Sequence, residues 1–384
     1  MHVAVEGCVH GQLDLIYSKI REKEIADNIK VDLLLCCGDF QAIRNESDLE
    51  DLQCPPKYKA YHDFKDYYNG IKEAPVLTIF VGGNHEAPAF LKELYYGGWV
   101  AKNIYYMGHS GVVNVNGIRI AGLSGIYYHR DYTRGFFEQQ PYDEHSKKSA
   151  YHVREYDVKK LQLIEEPIDI FLSHDWPRGI EHFGDTADLM RRKPFLTPDI
   201  QDRNLGNPHA WELLAKLKPR FWFAAHLHVK FEANVKHDFG NTYFLALDKP
   251  MPGRHYIEYL HVDPVQNIKH TNDEDVSICY DVEWLAIVAL NAQKMPLNSF
   301  PSVVELNLNK PEEKDKNFIK RALMQETSEP HTVDGTALYP IPRPTSESIK
   351  EPAKQRTNLM TLLGLYDNDY FTAKRTARFK VKFK

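Results

Sequence analysis

Apolar positions along the chain fall into short β-branched runs separated by amphipathic stretches with helical spacing. Residues 3–5, 33–37 and 76–81 are such runs, and helix-like segments around 13–29 and 87–96 stand between and after them. That order predicts β-α-β-α-β with strands apolar on both faces, hence buried. At 111–122 the pattern changes. Asn116-Gly117 separates the apolar runs 112–115 and 118–121, the mark of a two-residue hairpin turn, so the sheet is expected to turn antiparallel. Residues 168–173, 221–225, 231–235 and 242–247 are further strand candidates, with a helix at 211–217 before the second. The expected class is α/β, with two packed sheets flanked by helices.

A catalytic-type domain over 1–255 is expected to end near Pro250 and Pro252, and 256–384 to form a smaller C-terminal domain. Within that domain 276–290 is apolar enough for a core. Residues 310–353 are charged and then proline-rich (Pro330, Pro340, Pro342, Pro344, Pro352), which predicts a linker or an extended wrap. No internal repeat is found.

Composition narrows the class. The 384 residues suffice for two or three domains, and 43% apolar with 26% charged residues is the balance of a folded globular protein, neither disordered nor fibrous. Five scattered cysteines make no disulfide framework and fit a reducing, intracellular setting. No apolar run approaches the ~18–20 residues that span a bilayer, and the N-terminus enters a strand without a secretory pattern, so no membrane partner is expected. The net charge is −5, although residues 374–384 form a basic tail. Nucleic-acid binding would therefore come from local patches rather than from overall charge.

Potential metal ligands follow the strand candidates, where open α/β sheets place their sites. Cys8 and His10 follow the first, Asp39 the second, and Asn84, His85 and Glu86 the third; His174 and Asp175 follow the next, and His226 and His228 the one after it. Residues at i and i+2 of an extended segment point the same way, so each pair can address one ion. Gly38, Gly82 and Gly83 allow the tight turns that present Asp39 and Asn84. By contrast, His2, His62, His109 and His182 read as ordinary surface or core residues, and Cys36 and Cys37 as core.

The ordered set Cys8-Val9-His10, Gly38-Asp39, Gly83-Asn84-His85-Glu86, His174 and Ala225-His226-Leu227-His228 resembles the calcineurin-like metallophosphoesterase superfamily. It departs from that pattern at Cys8, where Asp is usual, and at Ala225, where Gly is usual. A thiolate is softer than a carboxylate and shifts preference toward zinc or iron. A closer resemblance is to the lariat RNA debranching enzymes, carried by 8–11, 37–42, 82–86, 173–177, 245–249 and 280–286. It implies a four-layer αββα sandwich with a smaller C-terminal domain, branched lariat RNA cleaved at its 2′,5′-phosphodiester, and a nuclear location. Carried over by residue, Cys8, His10, Asp39 and His228 would surround one metal position and Asp39, Asn84, His174 and His226 a second. Asp39 would bridge them, with one or two divalent ions (Fe²⁺, Zn²⁺ or Mn²⁺). His85, next to Asn84, would be the general acid toward the leaving oxygen, and Glu86 and Asp175 would orient ligands.

Recognition is expected from a loop at about 124–158. Residues 127–156 hold eight aromatics, five Lys/Arg and three His. Aromatic faces stack unpaired bases, and Tyr128, His129 and Arg130 are the candidate branchpoint contacts. An insertion packed on the sheet is the alternative reading of the same aromatics. Two other functions stay open from the residues: a metallophosphoesterase for a DNA end, phosphoprotein or cyclic nucleotide, and a metal-free interaction scaffold of the same fold, whose sign would be lost ligands. Protein partners are unknown.

Overall fold

The computed structural model describes residues 1–263, 276–302, 305–326, 331–333 and 336–365. The basic tail at 374–384 lies outside the described residues. Strands β1 (His2–Glu6), β2 (Leu33–Cys36), β3 (Leu77–Phe80), β4 (Gly98–Ala101) and β5 (Ile104–Tyr106) open the chain. Next come β6 (Ser110–Val115), β7 (Ile118–Leu123), β8 (Ile170–Ser173), β9 (Phe221–Ala224), β10 (Phe231–Lys236) and β11 (Asn241–Ala246). β12 (Ile257–His261), β13 (Ile278–Tyr280), β14 (His331–Val333) and β15 (Thr336–Pro340) complete the set. One sheet runs β12-β1-β2-β3-β5-β4, the other β10-β11-β9-β8-β7-β6-β13-β15-β14.

Period-two alternation divides each strand between two cores. Val3, Val5, Leu33 and Leu35 meet Ile120, Ile170, Leu172 and Phe223 between the sheets. Ala4, Leu34 and Cys36 face the helix Leu13–Asp27 on the outer side of the first sheet. Ala121, Phe171, Trp222 and Phe244 face the helices Glu155–Gln162, Pro208–Leu217 and Val282–Asn291 outside the second. The layers are therefore helix, sheet, sheet, helix. The parallel neighbours β1, β2 and β3, and β7, β8 and β9, all deliver their C-terminal ends to one edge of the sandwich.

The hairpin forms as expected, with Asn116 at φ 48° and Gly117 at φ 86°, the left-handed pair that a tight turn between twisted strands requires. The first helix ends at Asp27, earlier than 29, because Asn28 takes the left-handed conformation at its C-cap. The second is only Pro88–Glu93, since Tyr95 and Tyr96 are drawn into the core beside the turn at Gly97.

The C-terminal part departs from a linker or extended wrap. Residues 310–353 contain the helix Glu313–Glu326, strand β15 and the helix Ser346–Lys350. Ile319 and Leu323, one helical turn apart, are buried, which is what seats the first of these on the core. β12 pairs antiparallel with β1, and β13 with β6, so the C-terminal part adds strands to both sheets. Gln355, in the helix Pro352–Leu362, accepts the Trp99 N–H and donates to the Trp99 carbonyl, each at 2.9 Å, and thereby covers the outer edge of β4. Among the described residues no helix is long and apolar enough to cross a membrane.

A buried ion cluster ties this part to the second sheet. Arg119 on β7 pairs bidentately with Asp281 at 2.7 and 2.9 Å and reaches Glu283 at 3.1 Å, and Asp281 also caps the helix Val282–Asn291. Removing the guanidinium leaves two buried carboxylates short of their main counter-charge, so Arg119→Ala is expected to lose ~3–5 kcal/mol of stability. Urea unfolding checks this, and a loss below ~1 kcal/mol would show that the cluster is structurally idle.

Candidate metal centre

Every predicted ligand lies just beyond a strand end at that shared edge. Donor atoms of Cys8, His10, Asp39 and His228 all fall within 4.8 Å of one another. The Nε2 atoms of His10 and His228 are 3.2 Å apart, and His10 Nε2 is 3.6 Å from Asp39 Oδ2. On the other carboxylate oxygen, His174 Nε2 stands 3.3 Å from Asp39 Oδ1 and 3.1 Å from Asn84 Oδ1. The His226 ring is 5.0 Å from that of His174, and its backbone N–H donates to Cys8 Sγ at 3.1 Å. The seven candidate ligands thus come together, with Asp39 between the two groups.

The donor set fits a divalent cation on its own chemistry. His174 Nδ1–H donates to the Cys37 carbonyl at 2.7 Å, which leaves the Nε2 lone pair facing two oxygens with no proton between them. Such a convergence of lone pairs is stable around a positive ion. The carboxamide of Gln41 is 3.3 Å from His10 Nδ1, and its buried oxygen has no protein partner. Turned so that this oxygen accepts the Nδ1 proton, the amide leaves His10 Nε2 with a free lone pair.

Burial pushes His10 down to about 4 and His228 to about 3, so both imidazoles are neutral and ready to bind metal at neutral pH. Burial, reinforced by the Asp39 charge, pushes the Cys8 thiol well above its ordinary value. Asp39 is buried, yet the surrounding histidines hold its carboxyl well below the usual carboxylate range.

The backbone is shaped to the site. His10, Asp39, Gln41, His226 and His228 all have φ between 45° and 63°, a left-handed region that non-glycine residues occupy at a cost of ~1–3 kcal/mol and that surrounding contacts must enforce. Glu86 supplies one such contact. Its carboxylate accepts the N–H groups of Phe40 at 2.7 Å, Gln41 at 2.9 Å and Gly83 at 3.0 Å, and so clamps the Asp39 turn to the Asn84 turn. A Cβ on Gly83 would lie 2.3 Å from Asp39 Oδ1, so only glycine lets the two turns meet. Asp175 accepts the N–H of Tyr127 at 3.0 Å and so anchors the start of the 127–156 segment beside His174.

His85 lies at the wall of the centre. Its N–H donates to Asp39 Oδ1 at 2.8 Å, its Nδ1 is 2.6 Å from the Gln53 carbonyl, and its ring is 5.7 Å from that of His10. Beside it opens a cavity of about 510 Å³ lined by Asn84, His85, Lys59, Lys147, Lys148 and Tyr151, among others. Gln41, Lys147 and Lys148 lie in segments quoted from the sequence but were given no role there, and Gln53 and Lys59 were not singled out. The QA after Gly38-Asp39-Phe40 and the Lys147-Lys148 pair are the signals present.

The aromatic segment divides between the two readings of it. Tyr132, Phe136, Tyr142 and Tyr156 are core residues, and Tyr127 and Tyr132 pack on His209. That corrects the expectation of an eight-aromatic stacking surface: four of these rings are buried, and Tyr132, Phe136 and Tyr156 fill the layer between sheet and helix. Tyr128, His129 and Arg130 are exposed, with Tyr128 against the His152 ring, but do not line the cavity at His85.

Comparison with known proteins gives a consistent picture. A family model described as calcineurin-like phosphoesterase matches residues 1–230, and one described as lariat debranching enzyme, C-terminal domain, matches 240–379. The lariat debranching enzyme of Arabidopsis thaliana is 44% identical over 384 residues, covering 98% of this chain and 90% of that protein. Those of Schizosaccharomyces pombe and Homo sapiens are 57% and 50% identical, over 62% and 75% of this chain. The chain spans 50% and 53% of the length of these last two.

Two outcomes follow from the geometry. Glu86→Gln replaces one acceptor oxygen by a donor facing an N–H, and is expected to weaken metal retention ~10- to 100-fold, measured by competition with a chelator; unchanged retention would remove Glu86 from the scaffold. Because the folded pKa values of His10 and His228 lie below the ordinary 6.5, the unfolded chain takes up protons first as pH falls. The metal-free protein should therefore lose stability from about pH 6.5 down to about 3. Urea midpoints measured against pH should fall less steeply in a His10→Gln/His228→Gln variant, and parallel curves would refute the assignment.

Proposed function

Because the chain belongs to the lariat debranching enzyme family, within the calcineurin-like phosphoesterases, we propose that it hydrolyses the 2′,5′-phosphodiester at the branchpoint of excised lariat introns. The product is a linear RNA open to turnover. The observation that carries this reading is the placing of His85 between the ligand cluster and a cavity of ligand-pocket size.

One or two divalent ions held by Cys8, His10, Asp39, Asn84, His174, His226 and His228 would supply Lewis acidity toward the phosphate and bring the pKa of a bound water toward ~7. The thiolate of Cys8 favours Fe²⁺ or Zn²⁺ over Mn²⁺. The chain's own residues do the rest. The Gln53 carbonyl accepts the Nδ1 proton of His85, which fixes the ring and leaves Nε2 as the exchanging nitrogen. Protonated there, His85 gives its proton to the ribose 2′-oxygen as the phosphorus–oxygen bond breaks, since a departing alkoxide needs one. Glu86 and Asp175 keep the turns in register without touching substrate.

Tyr128, His129 and Arg130, exposed after the anchored Tyr127, are assigned to contacts with the branched RNA. The same proposal puts the protein in the nucleus, where splicing releases lariats. A metal-free scaffold or a different phosphoester is not favoured: the ligands converge, and the relatives named above are debranching enzymes.

The test is a short synthetic RNA with 2′,5′ and 3′,5′ linkages on one adenosine, incubated with Fe²⁺, Zn²⁺ or Mn²⁺. Only the 2′,5′ bond should break, and His85→Ala should slow it ~10²- to 10⁴-fold with metal content unchanged. Hydrolysis of a simple phosphomonoester with the 2′,5′ bond left intact would overturn the assignment.

A further inference from the structure

Hydrolysis of a 2′,5′ bond parts the substrate unequally. Water oxygen bonds to phosphorus, the bond from phosphorus to the 2′-oxygen breaks, and the phosphate stays on the 5′-oxygen of the other nucleoside. The branchpoint nucleoside is thus the leaving group, and its 2′-oxygen takes the proton of the acid. If His85 is that acid, the branchpoint nucleoside has to lie on the His85 side of the ligands.

The open space on that side is the 510 Å³ cavity, and its walls suit a nucleotide. Tyr151 gives it an aromatic wall, and Lys59, Lys147 and Lys148 outnumber the single lining carboxylate, Glu144, so its net charge is positive. Lys147 pairs with Glu144 at 3.3 Å and Lys59 donates to the Glu50 carbonyl at 2.7 Å. Pairs at the protein surface are weak enough to give way to a phosphate. A second basic group stands next to the Cys8 end of the ligand cluster. The Cys8 N–H donates to the Asp248 carbonyl, the Asp248 carboxylate holds Arg254, and Lys249 follows it in the chain. Neither Lys249 nor Arg254 lines the cavity.

Resting on the debranching reading, we propose that the cavity beside His85 seats the branchpoint nucleoside, with Lys147 and Lys148 binding the phosphate of its 3′ arm. The strand that keeps the scissile phosphate then leaves past Lys249 and Arg254. Charge in the cavity and charge next to Cys8 thereby fix which way the branched RNA threads.

Two RNAs test this: an adenosine joined 2′,5′ to a guanosine with no 3′ arm, and the same core with a 3′ arm added. The enzyme is compared with a Lys147→Gln/Lys148→Gln variant and with Lys148→Glu, metal content serving as the check on folding. Both variants should raise KM for the armed RNA about tenfold more than for the armless one, and the double variant should lower the salt slope of log KM by about 0.7 for each lysine–phosphate pairing it removes. Equal changes on the two RNAs, or none, would overturn the seating while leaving debranching intact. Failure of the unaltered enzyme to cut either 2′,5′ bond would overturn both.

Discussion

A single carboxylate, buried where two sheets end, sets the terms for the site around it. Asp39 presents Oδ2 toward His10 and Oδ1 toward His174 and the His85 N–H. A charge so far from water is tolerable only if donors or cations surround it. The surrounding histidines and the His85 N–H meet part of that need, although burial keeps His10 and His228 unprotonated. A divalent ion held among those lone pairs would meet the rest.

Holding Asp39 there requires a backbone that would not adopt its shape unaided. Gly38 sits at φ 110° against the His174 ring, and several ligands occupy left-handed conformations. The clamp from Glu86 and the anchoring of His174 on Cys37 fix these turns before any ligand arrives. Preorganisation of this kind means the ordering is done in folding, so binding does not have to supply it.

Much of this was legible in the sequence. Strand runs at 3–5, 33–37 and 76–81 were visible because both faces are buried, and ligands were visible because each follows such a run. Asn116-Gly117 named its own turn. What stayed hidden depends on contacts distant in the chain. Gln53 acts through its backbone carbonyl, which carries no side-chain signal. Tyr132 and Phe136 look the same in a sequence whether they stack on bases or fill a core, and the neighbouring His209 and Tyr95 rings decide. The helix Glu313–Glu326 was masked by its charge, since Ile319 and Leu323 are a sparse apolar face within a run read as linker.

The clasp of Gln355 on Trp99 joins residues 256 positions apart, and β12 closes over β1 from nearly as far along the chain. As the polypeptide emerges from the ribosome, both margins of the first sheet are therefore made long before their partners exist. The nascent chain carries two unsatisfied strand edges through most of its synthesis, and edges of that kind recruit other chains. Completion of the C-terminal part is thus the event that ends this exposure, and a message cut short before codon 355 would yield a polypeptide with its ligands encoded but one margin of the first sheet still adhesive.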